Sequence, residues 1–160
     1  MARKLVFIFI FLFIGCQKSN TQFIQNEIIQ FNDIKFDTVS KKLISNVAII
    51  SPDEVFISEF ISKWFENKIK TNGFEGDLIV EIDKILMSEI KELNYFKYSI
   101  EVTINFKIYK NNNLFKTFSV NANEFGVIEG NFAIKDQENL KNNLIMKSIK
   151  SIHNKISQSI

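Results

Sequence analysis

Hydrophobic and polar positions alternate most regularly between Tyr98 and Tyr109. Ile100, Val102, Ile104, Phe106 and Ile108 take every second place, with Glu101, Thr103, Asn105 and Lys107 between them. A period of two sends these sets to opposite faces of a strand, one covered and one wet. Asn111-Asn112-Asn113 then supplies a turn, and Leu114 to Ala122 reads as the returning strand of a hairpin. Leu78 to Ile85 alternates in the same way, with Leu78, Val80 and Ile82 against Ile79, Glu81 and Asp83. Earlier, Ile34 and Phe36 mark the start of a strand, and Leu43 to Ile50 ends in Val47-Ala48-Ile49-Ile50, the signal of a short buried strand.

Two stretches follow a helical period instead. Ser51-Pro52-Asp53-Glu54 is a helix start: serine caps, proline suits the first turn, and a glutamate three residues on closes a capping box. From there to about Thr71, Phe56, Phe60 and Trp64, with Ile57 and Ile61, form an apolar side, and Asn72-Gly73 supplies the stop. The second helix, about Asp136 to Ser159, aligns Leu140, Leu144, Ile145, Ile149, Ile152 and Ile156. Asn123 to Lys135, with Gly126 and Gly130, reads as a loop or an edge extension. The expected fold is α+β, in the order β-α-β-β-β-α, an antiparallel sheet with two amphipathic helices packed on one face. No internal repeat or second domain is visible.

The first sixteen residues follow another logic. Met1-Ala2-Arg3-Lys4 is followed by ten apolar residues, Leu5 to Ile14, and then Gly15-Cys16. Ten residues are too few to span a bilayer core, which takes roughly 20 in a helix, but they suit the h-region of a secretory signal. Arg3 and Lys4 are the charged n-region, and Gly15 is the small residue beside a cleavage point. Phe13-Ile14-Gly15-Cys16 resembles the lipobox of bacterial lipoproteins, departing from it in Phe13 where leucine is usual. The resemblance implies that Cys16 carries a diacylglycerol and an N-acyl chain, and that the chain is cut before it. The alternative is an uncleaved amino-terminal anchor with an unmodified Cys16. Gln17, where aspartate would mark inner-membrane retention, implies sorting to an outer membrane.

The expected organisation is therefore a signal peptide at 1–15, the lipidated cysteine and a tether at 16–33, and one domain at 34–160. Gln17 to Gln22 is uniformly polar, as a flexible spacer is. Loss of Arg3 and Lys4 lowers the 20 basic residues to 18, equal to the 18 acidic ones, and leaves no arginine. A neutral chain without guanidinium forks loses the main support for nucleic-acid binding. Cys16 is the one cysteine, so no disulfide pairing is open to it within the chain.

Candidate chemistry is sparse. His153, the one histidine, falls at the edge of the last helix's stripe, without cysteine or carboxylate at ligand spacing. Asp77, Glu81, Asp83 and Glu101 share the wet side of neighbouring strands, where alternate carboxylates could bind a cation or work as an acid/base pair; alternation itself demands polar residues there, and a solvated face neutralised by Lys107 and Lys116 is the simpler reading. Gly73-Phe74-Glu75-Gly76 and the Gly126–Gly130 pair match no phosphate loop. Trp64, Phe60 and Phe56 at helical spacing read as core. Tyr95, Phe96 and Tyr98, in a strand connection, are candidates for contact with a partner or lipid surface, and packing under the sheet edge explains them at least as well.

Trp64, Gly73 and Gly76, Leu78-Ile79-Val80-Glu81-Ile82-Asp83, the strand Tyr98 to Phe106 and the last helix together resemble an uncharacterised proteobacterial lipoprotein family, over roughly 34–160. The layout is also similar to the lipopolysaccharide-assembly lipoprotein of the outer membrane and to auxiliary lipoproteins of lipid-transporting ABC systems. These resemblances imply a protein that works by contact within larger machines. The expectation is a non-enzyme with no cofactor beyond its acyl groups. It is held at the membrane by lipid, faces the periplasm, and partners another envelope protein. The rivals are an apolar-ligand binding module and, more distantly, a hydrolase.

Overall fold

The computed structural model describes residues 26–49 and 51–160. Residues 1–32 and 33–160 form two separate units. In the first, residues 26–29 are helical, and the Gln30 and Phe31 amides donate to the carbonyls of Glu27 and Ile28. Arg3, Lys4, Phe13, Ile14, Gly15 and Cys16 lie outside the described residues.

The second unit is an α+β domain. Its order is β1 (Ile34–Phe36), β2 (Ser40–Ser45), α1 (Pro52–Lys68), β3 (Ile69–Thr71), β4 (Asp77–Glu92), β5 (Tyr95–Lys110), β6 (Asn113–Glu129) and α2 (Ile134–Ser159). Strands β4, β5 and β6 form an antiparallel meander, while β2 joins β4 in parallel, so the main sheet runs β2-β4-β5-β6. A parallel pair cannot be joined by a hairpin; here α1 is the crossover between them. Separately, β1 pairs in parallel with β3, Ile34 opposite Ile69.

The expected start of α1 is present in full. The Glu54 amide donates to Ser51 Oγ at 3.2 Å, and the Ser51 amide donates back to the Glu54 carboxylate at 3.0 Å. The expected end is not. The helix stops at Lys68, because Ile69–Thr71 turns extended to pair with β1. Lys41 from β2 completes the helix end: its ammonium donates to the carbonyls of Phe65, Glu66 and Ile69 at 2.5–3.0 Å. A cation there satisfies carbonyls that no later turn can reach and complements the helix dipole. Burial and the neighbouring Lys70 hold that ammonium below its ordinary pKa.

Val47, Ala48 and Ile49 are not strand residues; the strand lies before them, at Ser40–Ser45, and Ile50 is outside the described residues. The reason lies in β4, whose ladder shifts by one residue between Ile82 and Lys84. The bulge at Asp83 ends the partnership with β2, whose last bond runs from the Asn46 amide to the Ile82 carbonyl.

The core lies between one sheet face and the helices. Phe96, Tyr98, Ile100, Val102, Ile104 and Phe106 of β5 are all nearly inaccessible, as are Trp64, Phe60 and Ile61 of α1 and Ile149, Ile152 and Ile156 of α2. Phe36, Phe106 and Phe118 stack in a row with centroid spacings of 5.9 and 4.9 Å. Asn123–Glu129, read above as loop or edge extension, continues β6. Gly126 there lets α2 come close: a Cβ would sit 2.5 Å from a Leu140 methyl.

Candidate interaction surface

One face of the β4-β5-β6 meander carries the helices; the other is open. The open face is a grid of cross-strand rows. From one end they read Ile79-Lys107-Thr117, Glu81-Asn105-Ser119, Lys84-Thr103-Asn121, Leu86-Glu101-Asn123, Ser88-Ser99-Phe125 and Ile90-Lys97-Val127. The bulge at Asp83 divides the grid. Before it, in the near half, the carboxylates are neutralised singly: Glu81 by Lys107 at 2.8 Å, while Asp77 accepts from Ser40 Oγ at 2.5 Å. The hydrogen bond to Glu81 holds the Lys107 ammonium above its ordinary pKa. Just past the bulge, Glu101 pairs with Lys84 at 2.7 Å. Asp77, Glu81 and Glu101 thus have separate partners, and Asp83 is exposed at the bulge, so the four carboxylates do not form one cluster. No group of three or more His, Cys, Asp or Glu able to hold a metal occurs among the described residues.

In the far half the same face turns apolar. Leu86 and Ile90 are each 49% exposed, Phe125 is 68% exposed, and Val127 lies beside them. Ile90 and Val127 flank Lys97 across the strands, and its ammonium stands 5.8 Å from the Phe125 ring centre and forms no ion pair among the described residues. A cluster of apolar side chains on an otherwise polar face is what an association surface presents to water. Periodicity missed this group, because Leu86 and Ile90 lie past the bulge, where the alternation of β4 changes phase, and Phe125 lies in the segment read as loop.

The aromatic candidates next to it are placed differently. Phe96 is fully buried and Tyr98 is 2% exposed, so their rings are core rather than surface; Tyr95 alone is partly accessible. In a hairpin whose far half is covered on one side by α2, the even positions of β5 face that helix. Tyr98 ties the layers together. Its hydroxyl donates to Asp53 Oδ2 at 2.9 Å, Lys141 of α2 donates to the same oxygen at 3.1 Å, and Lys141 also pairs with Glu89 of β4 at 3.0 Å. Burial, and then the hydrogen bond to Asp53, push the Tyr98 phenol above its ordinary pKa.

His153 is buried against Trp64, whose indole N–H donates to its Nδ1 at 3.3 Å. The imidazole is thus an acceptor inside the core. Burial first, and then the charge of Lys68, lower its pKa. Phe56 is half-buried, and Phe60 and Trp64 are core, as the helical spacing implied. Lys116, expected to neutralise the wet face, instead donates to the Ser159 carbonyl at 2.9 Å.

Among solved structures, the minor lipoprotein of Acinetobacter baumannii is similar at 13% identity over 76% of this chain and 94% of its own, with a TM-score of 0.42. Rare lipoprotein B of Shewanella oneidensis is similar at 12% identity, over 75% and 92% of the two chains, with a TM-score of 0.42. An uncharacterized lipoprotein B from Nitrosomonas europaea gives 9%, 78% and 81%, and 0.44. No family model and no curated protein matches. These structural neighbours are bacterial lipoproteins, and no helix among the described residues is long and apolar enough to cross a membrane.

At the opposite end from the apolar group, a cavity of about 130 Å³ opens between Phe36, Ile108, Phe115, Phe118 and Ile160, with Lys110 and Lys116 at its rim. Lys110 is already offset by Asp37 at 3.5 Å and Glu75 at 3.7 Å.

Proposed function

We propose that this chain is a lipid-anchored lipoprotein of the outer membrane, facing the periplasm. It would act as a non-catalytic accessory or scaffold in envelope assembly or transport. Arg3, Lys4, the run Leu5–Ile14 and Gly15-Cys16 support the anchor, with acyl groups on Cys16 as the sole attached chemistry. The observation that carries the working role is the apolar group Leu86, Ile90, Phe125 and Val127, set on the open sheet face. Contact surfaces need apolar area that the free domain leaves in water, whereas a hydrolase needs a converging nucleophile and base. The one histidine is buried, and its Nδ1 accepts from the Trp64 indole in the core. An anchor also raises local concentration, so a modest patch suffices to hold another envelope protein.

Intact mass of the chain extracted from membranes tests the anchor. The reading expects residues 16–160 plus a glyceryl-linked diacyl group and an N-acyl chain, and an unacylated Cys16→Ser variant. A chain that begins elsewhere, or leaves the membrane without detergent, contradicts it.

The cavity favours a second reading, an apolar-ligand module. Its volume is close to the ~150 Å³ of an engineered cavity that takes up benzene, so it suits one ring or a short alkyl segment. Native mass spectrometry after mild extraction would show such a ligand retained.

A further inference from the structure

Beyond the bulge at Asp83, strand β4 has β5 on one side and no strand on the other among the described residues. Lys84–Glu92 is therefore an open edge, with a row of unpaired backbone donors and acceptors that template another strand. The opposite edge of the sheet, β6, is guarded: Lys155 of α2 donates to the Asn121 carbonyl at 2.6 Å and blocks the ladder there. Among the described residues the β4 edge has no such guard, and from Leu86 onward all its residues but Met87 are exposed.

The open-face residues of this edge are Lys84, Leu86, Ser88, Ile90 and Glu92. Read in both directions, they match each other. Antiparallel pairing of two such edges about Ser88 sets Lys84 opposite Glu92, Leu86 opposite Ile90 and Ser88 opposite itself, each unlike pair occurring twice. Centring the pair one residue earlier sets Lys84 opposite Ile90; one residue later sets Leu86 opposite Glu92. Charge then meets hydrocarbon, which directly opposed strand positions disfavour. Glu92 is exposed and makes no ion pair among the described residues, so its charge is available to a second molecule.

We propose that the β4 edge Lys84–Glu92 is a self-association site that takes a second copy of this chain, in antiparallel register about Ser88. The two meanders then form one six-stranded sheet, with both open faces on the same side. Leu86 and Ile90 of the two copies meet at its centre, while Phe125 and Val127 stay free on its outer strands for a different protein. The two-fold axis passes through the Ser88 pair, as an isologous dimer requires.

The test uses the full, detergent-extracted chain. Under mild oxidation Ser88→Cys gives a covalent dimer in high yield, while Ser119→Cys, on the open face of the near half, does not; the parent chain controls for Cys16. Sedimentation then reads the charge pairing. Glu92→Lys alone and Lys84→Glu alone each weaken the dimer by about tenfold, because like charges oppose each other. A mixture of the two variants restores it, because each mixed pair brings opposite charges together. Glu92 is exposed, Lys84 is half-buried and already paired with Glu101, and circular dichroism confirms the fold of both variants. A Ser88→Cys chain that stays monomeric while its thiol reacts freely with maleimide overturns the proposal. So does equal crosslinking from Ser119→Cys, or a mixture no tighter than its parts.

Discussion

The near and far halves of the main sheet share three strands yet are built to different ends. In the near half the sheet has four strands, with Glu81 and Lys107 neutralising each other on the open side and Phe36, Phe106 and Phe118 stacked in a row. In the far half the sheet has three strands and a bare edge, and Leu86, Ile90 and Phe125 meet water. One extra residue, Asp83, separates them. A bulge ends the pairing with β2 and restarts the alternation of β4 in a new phase, with Ile85 in the core and Leu86 outside. On the open face, the near half is closed by an ion pair and the far half leaves apolar side chains in water.

The largest expected contrast is between two phenylalanines. Phe106→Ala empties a fully buried site and should cost about 3–5 kcal/mol, whereas Phe125→Ala, on the open far face, should stay within about 0.5 kcal/mol. Urea denaturation of both variants checks this; comparable losses would erase the division. Next come the two glycines with positive φ. Gly76, at φ +82°, would place a Cβ 2.5 Å from the Tyr109 carbonyl oxygen, so Gly76→Ala should lose about 2–3 kcal/mol. Gly130, at φ +87°, meets nothing within 4 Å, and Gly130→Ala should lose only about 1 kcal/mol, the left-handed backbone cost alone.

A smaller effect tests how the far half is held to the helices. Tyr98→Phe removes the hydroxyl that donates to Asp53 while leaving the Asp53–Lys141 ion pair in place. A loss of about 0.5–1.5 kcal/mol is expected, the usual net worth of one hydrogen bond. No loss at all would mean that the clamp rests on Lys141.

The smallest effect is a dependence on pH. His153 is held below its ordinary value of 6.5, so the unfolded chain takes up a proton before the folded one does. Its contribution is fully present above pH 6.5 and is lost as pH falls through the lower, folded value. The urea midpoint should therefore decline from pH 7 toward 5, and His153→Gln should flatten that slope. An unchanged slope would place its origin in other groups.

Much of the covered side was legible in the sequence. The alternation of β5, the capping box at Ser51 and the stripe of α2 are local patterns, and each appears at its expected place. The features that were missed depend on distant partners. Three-residue strands such as Ile34–Phe36 and Ile69–Thr71 are too short for a period, and the parallel seat of β2 exists only because α1 carries the chain across. Phe96 and Tyr98, which adjoin a turn, could be read either as contact residues or as packing under the sheet edge; β5 continues through them and α2 covers their side, so packing is the outcome. The Asp53–Tyr98–Lys141 contact joins residues 45 and 88 positions apart, a separation with no local signature. Cys16 rests on a sequence motif alone and lies outside the described residues, whereas the apolar far face was not legible, because the bulge at Asp83 broke the alternation that would have revealed it.

The central claim, that the far half meets other molecules while the near half does not, is tested most directly by photo-crosslinking in intact cells. A photoreactive residue at Phe125 is compared with one at Ser119, on the same strand, on the same face and six residues away. The account predicts one discrete adduct with another envelope protein from position 125 and none from position 119. Equal labelling from both positions, or an adduct from Ser119 alone, would contradict it.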